Sequence, residues 1–196
     1  MALQQRGEET RLRLLAVAQE RFTQQGYDAT GVAEICHHAG VSKGAFYHHF
    51  PSKQALFLAL LDRWLGRLDE RLAALRAEAP DARAALAYMT AAIEPIFADA
   101  RGQLPLFLEF VEQARRDPVI WEATIAPYYR YRAYFSQLIA AGAEEGVLRA
   151  VDPELAAAML VSLAVGALLQ SLLDPDGVDW GEVVRVGVRM LTPDGE

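Results

Sequence analysis

Residues 30–50, TGVAEICHHAGVSKGAFYHHF, constrain the fold more than any other stretch of this chain. Two short helical segments flank the tight turn Ala39-Gly40-Val41, where a glycine can take the left-handed backbone that ends one helix before the next begins. Ile35, Val41, Phe46 and Phe50 supply apolar contacts that would fix the angle between the two segments. The pattern predicts a helix-turn-helix, with Thr30 as the N-cap of its first helix and Ser42 as the cap of its second.

Around that corner the 3.6-residue spacing of apolar side chains recurs almost everywhere, and alternating β-branched runs are absent. The expectation is an all-α protein of about nine helices. The first covers Thr10 to Gln24 and stops at Gly26, and Pro51-Ser52 breaks the chain before a longer helix from Lys53 to about Glu78. After Pro80-Asp81 a helix carries Leu86, Met89, Ile93 and Phe97 with a kink at Pro95, and another starts at Pro105 and runs to about Arg116. Asp117-Pro118 opens a long aromatic helix bent at Pro127. Asp152-Pro153-Glu154 starts a strongly apolar one, and Asp179 with Glu182 resembles a capping box for the last.

Charge narrows the function. The chain carries a formal −7, but six Lys/Arg stand against five Asp/Glu up to residue 55, and thirteen against twenty-one after it. If any part meets a polyanion it is the first quarter, because only the local field matters at a contact surface. With 53% hydrophobic and 23% charged residues the chain reads as a folded soluble protein. One cysteine and no apolar leader with a cleavage site predict a reducing, cytoplasmic setting.

In a helix-turn-helix the second helix enters the DNA major groove by its N-terminal end. Lys43 stands there beside the small residues Gly44 and Ala45, able to donate to a guanine edge. Tyr47, His48 and His49 offer phosphate-contact chemistry one turn on, and Lys53 adds a charge at the start of the following helix. The histidines do not read as metal ligands. Cys36, His37 and His38 are helix neighbours pointing about 100° apart, as are His48 and His49, so neither set converges on one ion. Spacing alone leaves an all-α enzyme with a glycine corner open, although no Ser/His/Asp set, HExxH or phosphate-binding glycine loop supports one. A helical interaction module without DNA binding also stays open.

The stretch RLLAVAQERFTQQGYDATGVAEICHHAGVSKGAFYHHFPSKQAL closely resembles the DNA-binding domain of the TetR family of bacterial transcriptional regulators. Gly26-Tyr27, Thr30, Ile35, Ala39-Gly40-Val41-Ser42, Gly44, Phe46-Tyr47, His49-Phe50 and Ser52-Lys53 fall at that family's spacing; Gly31, Cys36 and Gln54 depart from it. The resemblance implies a three-helix DNA-binding domain over 1–52 and a larger helical effector-binding and dimerisation domain over 53–196. It implies phosphate roles for Thr30, Tyr47, His49 and Lys53, and base-facing roles for Lys43, Gly44, Ala45 and His48 next to the cap Ser42. It further implies a non-enzymatic, cytoplasmic repressor that binds a palindromic double-stranded DNA operator as a homodimer, without cofactor or metal.

Two further sets of residues follow from the larger part. Residues 155–173 are nearly charge-free but interrupted by Ser162, Gly166, Gln170 and Ser171, which argues for burial and against a membrane span. Ala158, Ser162, Gly166 and Leu169, with Val184, Val188 and Leu191 of the last helix, are the expected dimer interface. Met89, Ile93, Phe97, Phe107, Phe110, Trp121, Tyr128 and Tyr131, with Glu109 and Gln113 as polar contacts, are the expected lining of a site for a small hydrophobic or aromatic effector, its cationic group meeting Glu109.

Overall fold

The computed structural model describes residues 2–174 and 176–193, with side chains described except at 2–4, 99–104 and 172. Among them run nine α-helices and no strand: α1 Ala2–Gln25, α2 Val32–Ala39, α3 Lys43–His49, α4 Lys53–Glu78, α5 Ala82–Ala91, α6 Ile93–Ala114, α7 Pro118–Glu144, α8 Pro153–Leu173 and α9 Trp180–Arg189. Start signals in the sequence act as expected at several points. Ser42 accepts from Ala45 N–H at 3.1 Å, Ser52 from Ala55 N–H at 3.0 Å, and Asp152 from Glu154 and Leu155 N–H at 2.9 and 3.0 Å. Each cap supplies an acceptor for a donor that the first helical turn cannot satisfy itself. At α9 only half of a capping box forms: Asp179 accepts from Glu182 N–H at 2.8 Å, while the Glu182 carboxylate turns to Arg185 and Arg189.

Three local expectations are corrected. Thr10 is not near a helix start, since its hydroxyl donates back to Arg6 O at 2.9 Å within α1. Thr30 does not cap α2; Gly31 occupies that position without a side-chain bond, while the Thr30 hydroxyl donates to Gly26 O at 2.8 Å and closes the preceding turn. The break near residue 92 lies between α5 and α6, not at Pro105. Pro95 then falls in the first turn of α6, where no backbone donor is needed, and Pro105 sits inside a continuous helix at the loss of one internal bond.

The chain forms two compact units, Met1–Gly66 with Pro105–Thr124, and Arg67–Leu104 with Ile125–Glu196. These units divide within α4, α6 and α7. In the first, Leu14, Leu15, Phe22, Ile35, Phe46 and Leu56 are almost fully buried, the Phe22 ring meets Phe57 edge-on at 5.3 Å, and Phe57 stacks on Phe110 at 3.9 Å. In the second, Leu86, Met89, Ile139, Leu148, Ala157, Leu160 and Val188 share one apolar cluster, and Ile93, Phe97, Ala167 and Val184 form another.

Candidate nucleic-acid interface

The corner between α2 and α3 is built by backbone geometry before any side chain is considered. Gly40 has φ +64°, its N–H reaches His37 O at 3.2 Å, and Val41 N–H reaches Cys36 O at 3.0 Å. These two bonds form a Schellman ending, which turns the chain within two residues and needs the left-handed backbone glycine supplies. Ile35, Ala39, Phe46 and Phe50 face inward at 0–3% exposure, so α3 is anchored by one face.

The opposite face of α3 is open. Ser42, Lys43, Gly44 and His48 are exposed, Tyr47 is 54% exposed, and Ala45 and His49 are half-buried. No acidic residue lies on α3, and Glu34 of α2 is occupied by Gln25 at 2.8 Å with Arg21 at 4.0 Å. The helix thus presents a cation, a phenol and an imidazole beside two small residues, the chemistry of phosphate and base-edge contact. His37 and His38 are exposed on the last turn of α2, where the His38 ring Nδ1 lies 2.9 Å from Glu34 O. Cys36 is 4% exposed, and burial pushes its thiol up against a smaller opposing pull from Lys43.

Of the predicted phosphate contacts, the Thr30 hydroxyl is used within the fold and the Lys53 ammonium is held by the turn before α2. Thr30 is fully buried, its hydroxyl donating to Gly26 O and accepting from Gln25 Nε2, so it has no face to offer DNA. Lys53 is half-buried, and its ammonium donates to Tyr27 O at 2.7 Å and Thr30 O at 3.0 Å while lying 4.1 Å from the Tyr27 ring centre. Desolvation lowers its pKa, with Asp28 pulling the other way.

The predicted effector residues are shared between the units. Phe107, Glu109, Phe110, Gln113 and Trp121 belong to the first; Met89, Ile93, Phe97, Tyr128 and Tyr131 belong to the second. Glu109 was expected to meet a ligand cation, but its Oε2 accepts from Tyr27 N–H at 2.7 Å. Gln113, 7% exposed, donates to Asp28 at 3.3 Å, and Phe107 packs near Trp64 at 5.8 Å. Trp121 is 48% exposed, while Met89, Ile93 and Phe97 are buried in the apolar clusters. Tyr128 and Tyr131 are half-buried on α7; burial raises both phenol pKa values, aided at Tyr131 by Asp69. Sequence reading missed the partners of Glu109 and Gln113, because Tyr27 and Asp28 lie more than eighty residues away and no local pattern marks the pairing.

In the second unit α8 and α9 pack together, closely enough that a Cβ at Gly187 would overlap Leu163. Of the expected interface residues, Ser162 is exposed, and Ala158, Gly166 and Leu169 are half-buried. Val184, Val188 and Leu191, at 4, 8 and 5% exposure, are already buried within the chain, because α9 turns that stripe to its own core. The outward apolar residues are Leu155 at 71%, Met159 at 44% and Leu173 at 86% on α8, with Val186 on α9 and Met190 just after it.

Residues 14–60 match the family described as bacterial regulatory proteins, tetR family, and residues 83–192 match the C-terminal family of BetI-type transcriptional repressors. The chain is 30% identical over 122 residues to the HTH-type transcriptional regulator UidR of Escherichia coli K12, across 60% of this chain and 58% of that protein, so the likeness spans less than two thirds of that relative. In fold it is similar to a protein from Saccharomonospora viridis solved with choline, with a TM-score of 0.77, 24% identity and coverage of 93% and 95% of the two chains. It is likewise similar to SmeT in its triclosan complex, with a TM-score of 0.81, 20% identity and coverage of 95% and 93%. With an open α3 face on a helix-turn-helix, and family matches at both ends of the sequence, the chain belongs to the TetR family of helix-turn-helix transcriptional regulators.

Proposed function

We propose that the protein is a homodimeric repressor that binds a palindromic operator through α3 and is released from it by a small lipophilic or aromatic effector. The observation that carries the DNA-binding reading is the exposed N-terminal face of α3, Ser42-Lys43-Gly44 followed by Tyr47 and His48, on a helix whose other face is buried. Lys43 reads a base edge, Ala45 and Gly44 allow close approach, and Tyr47 and His49 meet the backbone. As a member of a regulator family, it acts by binding and not by turnover. Its place is the cytoplasm, with the DNA. Lys43→Ala is expected to weaken binding of the preferred duplex about tenfold or more in fluorescence anisotropy, the range of one good base contact; unchanged affinity would show that α3 does not read DNA in this way.

The second copy covers the outward stripe of α8. Leu155, Met159, Ser162, Gly166, Gln170 and Leu173 recur at three- and four-residue intervals and leave exposed apolar surface, while Ala156, Ala157, Leu160 and Ala167 are buried behind them. Pro153–Ser171 is long and apolar enough to cross a bilayer, with mean hydropathy 1.6. A third of that stretch is buried within the chain, and the polar Ser162 and Gln170 on its outer side favour a protein interface over a span. Two-fold pairing of this face would match a two-fold operator.

For the effector, support comes from α7. Tyr128 and Tyr131 are half-buried, and the hydroxyl of nearby Tyr134 is buried with no hydrogen-bond partner among the described residues. A ligand acceptor would satisfy that donor, and the aromatic faces suit an aromatic or quaternary ammonium group. Choline and triclosan, held by two proteins of like fold, are fitting probes. A concentration-dependent rise in Tm that Tyr131→Ala removes is the expected result.

A further inference from the structure

We infer that Glu109 is a positioning residue for operator binding, acting through the backbone of Tyr27 on the ammonium of Lys53. The inference rests on the DNA-binding reading of the first unit. Tyr27 is caught from both sides: its N–H donates to Glu109 Oε2 at 2.7 Å, and its carbonyl accepts from Lys53 Nζ at 2.7 Å. Thr30 O takes a second Lys53 donor at 3.0 Å, and the Tyr27 ring lies beneath the ammonium at 4.1 Å. An ammonium has three donors, so two carbonyls fix the direction of the third. The charge beside the start of α4, next in sequence to the reading helix, is therefore set in place by the turn and not by the flexible lysine stem.

The turn is in turn held by α6. Gly26 has φ +85°, a backbone that glycine permits, and the Glu109 carboxylate lies against it, Oε1 3.4 Å from where a Cβ would stand. One helical turn along, Gln113 donates to Asp28 at 3.3 Å, and Arg116 pairs with the same carboxylate at 3.2 Å. The Tyr27 ring packs 4.5 Å from Phe57, which stacks on Phe110 beside Glu109. Glu109 is the member of this set that bonds the backbone of the same residue as Lys53, on the peptide just before it. Removing it leaves the Tyr27 N–H without its acceptor and loosens the residue whose carbonyl aims Lys53.

The test uses the full-length chain and the duplex it selects from random-sequence DNA, with affinities measured across salt concentration for wild type, Glu109→Ala, Lys53→Ala and the double variant. The expected result is that Glu109→Ala weakens binding about tenfold and lowers the salt slope by about one phosphate, as Lys53→Ala does. The double variant is expected to lose no more than Lys53→Ala alone, because both act on one contact. Glu109→Gln, which keeps an acceptor oxygen and serves if the alanine variant folds poorly, is expected to recover most of the affinity. Additive losses, or an unchanged slope in Glu109→Ala at wild-type Tm, would overturn the inference. Lys43→Ala separates the two levels: if it and wild type alike retain no duplex, the DNA-binding reading fails and this inference with it, whereas loss with Lys43→Ala and additive Glu109 and Lys53 effects sinks the inference alone.

Discussion

The exposed faces of α3 and α8 differ sharply in chemistry. On α3 the outward residues are Ser42, Lys43, Gly44, Tyr47 and His48; on α8 they are Leu155, Met159, Ser162, Gln170 and Leu173. Both helices are anchored by an apolar opposite face, Phe46 in one case and Ala157 with Leu160 in the other. A surface of donors without nearby acids suits a phosphate backbone, whereas a stripe of uncharged, mostly apolar side chains gains by leaving water. On the proposed reading one face meets a polyanion and the other a copy of the chain, and the two faces lie in separate compact units.

The largest effect should come from charging the apolar face. Leu155→Glu with Met159→Glu is expected to leave the fold intact, since both side chains are largely exposed, yet to yield monomers in sedimentation. Operator affinity should then fall about a hundredfold or more as the two half-sites cease to be bound together. A dimer that persists would move the interface elsewhere.

Adjacent residues on α3 sharpen the contrast next. Phe46 is fully buried and Tyr47 is 54% exposed. Phe46→Ala should cost about 3–5 kcal/mol of stability in chemical denaturation. Tyr47→Phe should stay within about 0.5 kcal/mol of wild type and weaken DNA binding instead. Smallest of all, Ser42→Ala removes the cap of α3 and should cost about 1 kcal/mol in the same denaturation experiment.

These contrasts also explain how far the sequence could be read. Caps and turns depend on residues three or four apart, so Ser42, Ser52, Asp152, Gly26 and Gly40 announce helix ends locally. The anchored face of α3 was likewise legible, because its buried phenylalanines alternate with polar residues at helical spacing. On α8 and α9 apolar residues occur on several sides, and which stripe turns inward is decided by the partner helix. Hence Val184, Val188 and Leu191 read as an outer face although they are core. Thr30 failed for a related reason: a hydroxyl that could cap α2 bonds Gly26 O instead, a choice set by the turn before it. Glu109 lay furthest from reach, since its partner Tyr27 is 82 residues away along the chain.

The central claim is that two copies of α3, joined through α8, read one two-fold DNA site. Selection of bound sequences from random duplex DNA by the full-length protein tests it most directly. The account predicts an enriched palindrome whose half-sites are spaced by about one helical turn, roughly 34 Å, or a multiple of it, and enrichment lost with Lys43→Ala. A single asymmetric site, or no enrichment at low salt, would contradict it.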